Sequence, residues 1–333
     1  MDGIKRVFSD GFNGMVIGFF VTMILGTILK QIGNLTPGQI GDLFVTMGKA
    51  AISVTGAGVG IGVAYKMNES PLVVISAAIT GMVGYSAASS EPLGAFVAAV
   101  AGILIGEMIA DKTSFDLLLT PFVSILVGTL AGYFAGPYIA RMVNELAKLI
   151  KWGAAQDSLV MGIVVAVLMC LAAVFPIHVS ALGASLKMSG LACGAATIGV
   201  CCSMIGFAVA SYRENKTGGL FTQGIGTSML QFPNLFHNPL ILIPPVVASA
   251  ILGPVSVCLL RMTNSAAGCG MGTRGFAGQI SAYYKMAGNK GTVATMLLIF
   301  MMHIILPGVI SLGVSELLRK INWIKGGDMK LRD

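Results

Sequence analysis

The chain has 333 residues, 55% of them hydrophobic and 11% charged; its mean hydropathy is +0.86. A soluble domain carries about 25% charged residues, so this exterior cannot be solvated throughout, and most of it must face lipid. The net charge of +7 is spread over loops and both ends. That is what positive-inside loop charge looks like; no basic patch interleaved with aromatics points to a nucleic acid.

The expected fold is all-α: a polytopic transmembrane helical protein. Continuous apolar runs disfavour a β-barrel, whose strands would alternate. Runs of bilayer length predict spans near 12–33, 42–65, 71–89, 92–110, 117–140, 158–176, 189–211, 239–260 and 291–313, with a weaker tenth at 266–284. The first is read as a span and not a cleaved signal, because no small-residue cleavage site follows it. Pro137, Pro244, Pro245, Pro254 and Pro307 fall in or at the ends of spans, where neighbouring helices can satisfy the freed carbonyls.

The chain repeats itself. VNELAKLIKW at 143–152 returns as VSELLRKINW at 314–323, an offset of 171. Each reads as an amphipathic segment at the interface with Trp at headgroup level. PLVVI at 71–75 returns as PLILI at 239–243, an offset of 168. GVAYKMNE from Gly62 returns more loosely as AVASYREN from Ala208, an offset of 146. The jump in offset places an insertion of about 22 residues at 216–238 of the second copy. The expected domains are therefore a first membrane repeat at 1–155 and a second at 156–333 carrying an inserted, re-entrant hairpin. Five spans per half would invert one repeat relative to the other, with a ligand site between them.

The stretch 222–279 holds the candidate site. An apolar block is flanked by Gly-rich runs that bear amides and hydroxyls. Non-helical backbone at membrane depth must be buried in protein or line a cavity. The candidates for binding are Thr227, Gln231, Asn234, His237, Asn238, Asn264 and Arg274, with Glu91 facing them from the first repeat. Glu91 reads equally as part of a solvated loop, and Asn238 before Pro239 reads also as a helix cap. His303, in mid-span, reads as a side chain satisfied by a neighbouring helix. Arg274 cannot shed its charge and needs partners. Glu107, Asp111, Lys112 and Asp116 cluster at a span end and read as loop charge.

Other chemistry is not expected. The six cysteines lie in apolar or Gly-rich segments and read as small buried hydrophobes. No His/Cys/Asp/Glu set has metal spacing. GxxxxGK[ST] is absent, and GAGVGIG from Gly56 reads as a helix-packing face. No nucleophile–base set can be assembled, so neither enzyme activity nor a cofactor is expected.

The run GIGTSMLQFPNLFHNPLILIPPVVASAILGP resembles the membrane-embedded IIC components of sugar phosphotransferase systems. More closely, the chain resembles the stand-alone IIC-like proteins of the perfringolysin-regulator group. In sugar-carrying relatives a hairpin Glu holds sugar hydroxyls; the matching position here is Thr227. The resemblance implies a permease of the bacterial plasma membrane that moves a sugar-like polar solute by alternating access. It implies a homodimer and separate phosphotransferase partners, since no cysteine lies in a soluble phosphate-binding loop. The alternative it leaves open is a membrane sensor or regulator that kept the fold and lost transport.

Overall fold

The structure is a computed structural model that describes residues 6–112 and 114–331. Among those residues regular structure is helical, with one isolated bridge between Gly190 and Asn264. Among the described residues six helices are long and apolar enough to cross a bilayer, or seven if one bent pair is a single span. The chain divides into two compact units, Met1–Asn144 and Glu145–Asp333.

In the first unit α1 runs over Val7–Leu35, with two π turns inside it. It is followed by α2 (Gln39–Ser53), α3 (Thr55–Lys66), α4 (Pro71–Ala87), α5 (Pro92–Ile109) and α6 (Asp116–Ala154), the last crossing the unit boundary. Proline opens both α4 and α5. At the first helical position its fixed φ helps and its missing N–H costs nothing. Glycine brings α1 and α3 together. A Cβ on Gly14 or Gly18 would overlap the backbone of Gly62 or Gly58, so the two backbones touch as small-residue membrane interfaces allow.

Two predicted boundaries differ. The run 42–65 is two helices, α2 and α3, bent by 59° at Val54. The Ser53 and Thr55 hydroxyls bond back to the carbonyls of Ala50 and Ile52; such side-chain bonds compete with the backbone ladder and bend helices. Conversely, 117–140 and the amphipathic 143–152 are one 39-residue helix. No Gly or Pro separates Tyr138 from Lys151, so nothing stops propagation. At 1.5 Å per residue α6 is about 58 Å long, well beyond a bilayer core of about 30 Å.

Ahead of α1, Arg6 bridges Glu69 and Glu107 and also donates to the Met67 carbonyl at 2.8 Å. Burial and the charge of Glu107 push the Glu69 carboxyl above its usual range, against the pull of Arg6. A carboxyl with a raised folded pKa contributes stability that is fully present below its unfolded pKa and is lost as pH rises through the folded value.

In the second unit α7 spans Ser158–Val174, α8 Val179–Ser185, α9 Gly190–Ala210 and α10 Tyr212–Phe221. After a broken hairpin come α11 (Phe232–Leu235), α12 (Pro239–Leu259), α13 (Ala266–Cys269), α14 (Ala277–Lys290) and α15 (Thr292–Lys320). The central helix is α9, almost wholly buried. Its small residues (Gly194, Ala195, Ala196, Gly199, Cys201, Cys202) let neighbours close around it. Ile198 and Cys202 share a core with Leu252, Met262, Met286 and Met302. The weak tenth run, 266–284, is not one helix: turns at 270–276 separate α13 from α14.

Close glycine packing and the Arg6–Glu69 pair of the first unit are both open to test. Gly14→Leu should destabilise the detergent-solubilised protein by about 1–3 kcal/mol, the usual cost of overpacking. Gly313→Leu, where nothing lies within 4 Å, should be neutral in the same thermal unfolding assay. Arg6→Gln removes the cation that holds Glu69 down, so its melting temperature should fall further below wild type at pH 8 than at pH 5. An equal loss at both would contradict the assigned electrostatics.

Candidate functional site

Three interruptions of helix meet in the second unit. The first is the turn between α7 and α8. The second runs from a π turn at Thr222–Gly226 through extended Thr227 to a short 3-10 turn at Ser228–Gln231. The third is the Gly-rich turn 270–276. There Gly272, Gly275 and Phe276 have φ of 53°, 50° and 58°. Gly272 packs against Val200 and Met204 with no room for a Cβ, so this position needs glycine on both counts.

Arg274 ties the three together. Its Nη1 donates to the Ser180 hydroxyl at 2.7 Å and its Nε to the Gly226 carbonyl at 3.4 Å. Next to it the Thr273 hydroxyl donates to the Gly224 carbonyl at 2.5 Å. Ser228 donates to the Ala173 carbonyl at 3.0 Å and lies 2.8 Å from the Ser203 hydroxyl. Carbonyls freed from helix are thus met by side chains, as lipid burial requires. Among the described residues the most deeply buried charged positions are Glu91 and Arg274, each 4% exposed.

The other expected residues fall into groups. Thr227 is buried and caps the 3-10 turn, its Oγ1 accepting from the Met229 N–H at 3.2 Å. Asn264 is buried and staples three elements: its Nδ2 donates to the Thr197 hydroxyl at 2.8 Å and the Gly278 carbonyl at 3.1 Å. Its Oδ1 accepts from the Ser265 N–H. Gln231, Asn234 and Asn238 all face the segment 321–331. Gln231 Nε2 donates to the Met329 carbonyl at 3.0 Å, and Asn234 Nδ2 to the Lys330 carbonyl at 3.1 Å. Asn238 Nδ2 donates to the Trp323 carbonyl at 2.8 Å and to Asp328 Oδ2 at 2.7 Å. Asn238 also caps its helix, accepting from the Leu240 N–H at 3.0 Å. His237 is exposed, with Nδ1 3.3 Å from the Pro233 carbonyl. Glu91 belongs to the first unit. It is buried at the start of α5, not solvated.

Sequence reasoning missed Gln223 and Ser180. Gln223 is fully buried and completes an amide chain. It donates to the Ser211 hydroxyl at 2.9 Å and accepts from Gln231 at 2.8 Å, and Gln231 in turn accepts from Asn234 at 2.8 Å. Its place in TQGIG, eight residues before Gln231, was the available signal. Ser180 had none. His303 meets Gln279 across 3.2 Å, a neighbour on another helix as expected.

An apolar groove of about 400 Å³ adjoins Thr273 and Gly224, lined by Ile205, Val209, Phe221, Ile304 and Val309 among others. Arg274 does not line it.

The family described as phosphotransferase system, EIIC, matches residues 9–331. The chain belongs to that EIIC family. No curated protein matches it. EIIC proteins are the membrane transporter components of their systems, so this is a multi-pass membrane protein of the transporter type.

The amide clip makes its own forecast. Asn238→Ala removes a helix cap and two bonds to 321–331, and should cost roughly 1–3 kcal/mol. Limited proteolysis of the purified EIIC protein should then cut within 321–331 faster than in wild type. An unchanged digestion rate would show that the clip does not hold this segment.

Proposed function

We propose that this EIIC protein carries a sugar-like polar solute across the bacterial plasma membrane by alternating access, as a homodimer working with separate phosphotransferase components. The observation that carries the reading is Arg274: a buried guanidinium where three helix breaks converge, in a chain of EIIC type. Broken helices with polar side chains turned inward are how transporters hold a ligand at membrane depth. Arg274, Thr227 and Asn264 are the buried candidates of the proposed site. Gln231, Asn234, His237 and Asn238 stand on the hairpin beside it, and Glu91 is the candidate in the first unit.

The proposed architecture is about ten spans in two inverted repeats, 1–155 and 156–333. Three placements support it. PLVVI and PLILI each open an apolar helix, α4 and α12. VNELAKLIKW and VSELLRKINW each fall at the C-terminal end of a long one, α6 and α15. The residues without a counterpart in the first repeat, 216–238, are the broken hairpin.

A sensor that binds without carrying is the second reading. Thr227 stands where sugar-carrying relatives have Glu, and the amides of Gln231, Asn234 and Asn238 are engaged by 321–331. Proteoliposome uptake of radiolabelled hexoses and their derivatives separates the two. Carriage predicts saturable uptake that Arg274→Ala lowers at least tenfold, about the 1.4 kcal/mol at least expected from losing a charged hydrogen bond. Binding without uptake would favour the sensor. Uptake indifferent to both Arg274→Ala and Gln231→Ala would show that the site lies elsewhere.

A further inference from the structure

Among the described residues of its own unit, Arg274 has no counter-charge. A guanidinium has five N–H donors. The Ser180 hydroxyl and the Gly226 carbonyl take two, leaving three without a protein partner among the described residues. Neither partner is an anion. The described acids of the same unit are committed or remote: Glu145 pairs with Lys148. Glu214 pairs with Arg319, and Glu316 with Arg213. Asp328 accepts from Asn238 and the Lys325 N–H. Asp157 is exposed at the start of α7.

A desolvated cation is stable only when a negative charge and hydrogen-bond acceptors reach it. Neutral hydroxyls could accept from Arg274 but would not neutralise it. A carboxylate or phosphate would do both, because the planar fork matches two oxygens at once. Beside it Ser180 and Thr273 bring hydroxyls, suited to the hydroxylated remainder of a ligand. We infer that the solute is anionic: a sugar-sized hydroxylated molecule whose oxyanion, carboxylate or phosphate, docks on Arg274. This inference rests on the solute-carrier reading and narrows it from polar to negatively charged.

The test is a thermal-shift titration of the full chain in a polyoxyethylene detergent, which carries no sugar headgroup. The probes are glucose, glucuronate, glucose 6-phosphate, inorganic phosphate and phosphatidylglycerol. A ligand of the folded state raises the melting temperature by mass action. Glucuronate or glucose 6-phosphate should half-saturate the shift at a concentration at least tenfold below glucose, and which of them acts identifies the oxyanion. Arg274→Gln should abolish that preference. Arg274→Lys, which keeps charge and loses the fork, should weaken it, and it stands in if the Gln variant does not fold. Glucose binding as tightly as either anion would overturn the inference and leave the carrier reading intact. Anion shifts unchanged in both variants would overturn it too. So would inorganic phosphate matching glucose 6-phosphate, or a response to phosphatidylglycerol alone. A protein that responds to no probe would remove the carrier reading along with it.

Discussion

Backbone that leaves the helix inside a membrane has no water to satisfy it, and the second unit is organised by that constraint. Each break finds side chains in place of the missing helical bonds. Thr273 meets the Gly224 carbonyl, Arg274 the Gly226 carbonyl and Ser228 the Ala173 carbonyl. Polar residues concentrate here because the backbone requires them. Once assembled, they hold a buried cation among neutral partners. Structural need and ligand chemistry therefore draw on the same residues, and Arg274 is set apart by being buried with neutral partners only.

The hairpin amides show the opposite balance. Gln223, Gln231 and Asn234 hand hydrogen bonds along a chain that ends on the carbonyls of Met329 and Lys330. Glu214 and Arg319 pair close by at 2.8 Å. Ile324 and Met329 of the same segment are buried with Phe207, Ile241 and Leu318. The segment is thus held by apolar packing as well as by amides, and it occupies donors that a solute would otherwise use. Carriage through these amides would require the segment to yield; carriage centred on Arg274 would not.

Much of this was legible in the residues. Scarcity of charge fixed the membrane class. Ser70–Pro71, Glu91–Pro92 and Asn238–Pro239 mark true helix starts, because proline at the first turn is a local signal. Gly-rich 268–275 was readable as a break for the same reason. What could not be read depends on distant partners. Gln231 and Met329 are 98 residues apart, and nothing local tells an amide that clips a segment from one that awaits a solute. Glu91 was ambiguous for the same reason: burial is decided by what packs over it. The bend at Val54 and the unbroken α6 were missed because apolar length was weighed above the Ser and Thr hydroxyls at 53 and 55 and the absence of breakers near 140.

The central claim is that Arg274 is a buried cation kept for a partner its own unit does not supply, whereas Arg319 is kept for Glu214. Comparing the ligand-free melting temperatures of Arg274→Gln and Arg319→Gln tests this most directly. Removing one member of a buried pair strands the other, a loss of about 3–5 kcal/mol; removing an unpaired charge relieves desolvation. The account predicts a marked drop for Arg319→Gln and an unchanged or higher melting temperature for Arg274→Gln. Equal drops would mean that Arg274 is a structural tie between Gly226 and Ser180, and the site assigned around it would fall.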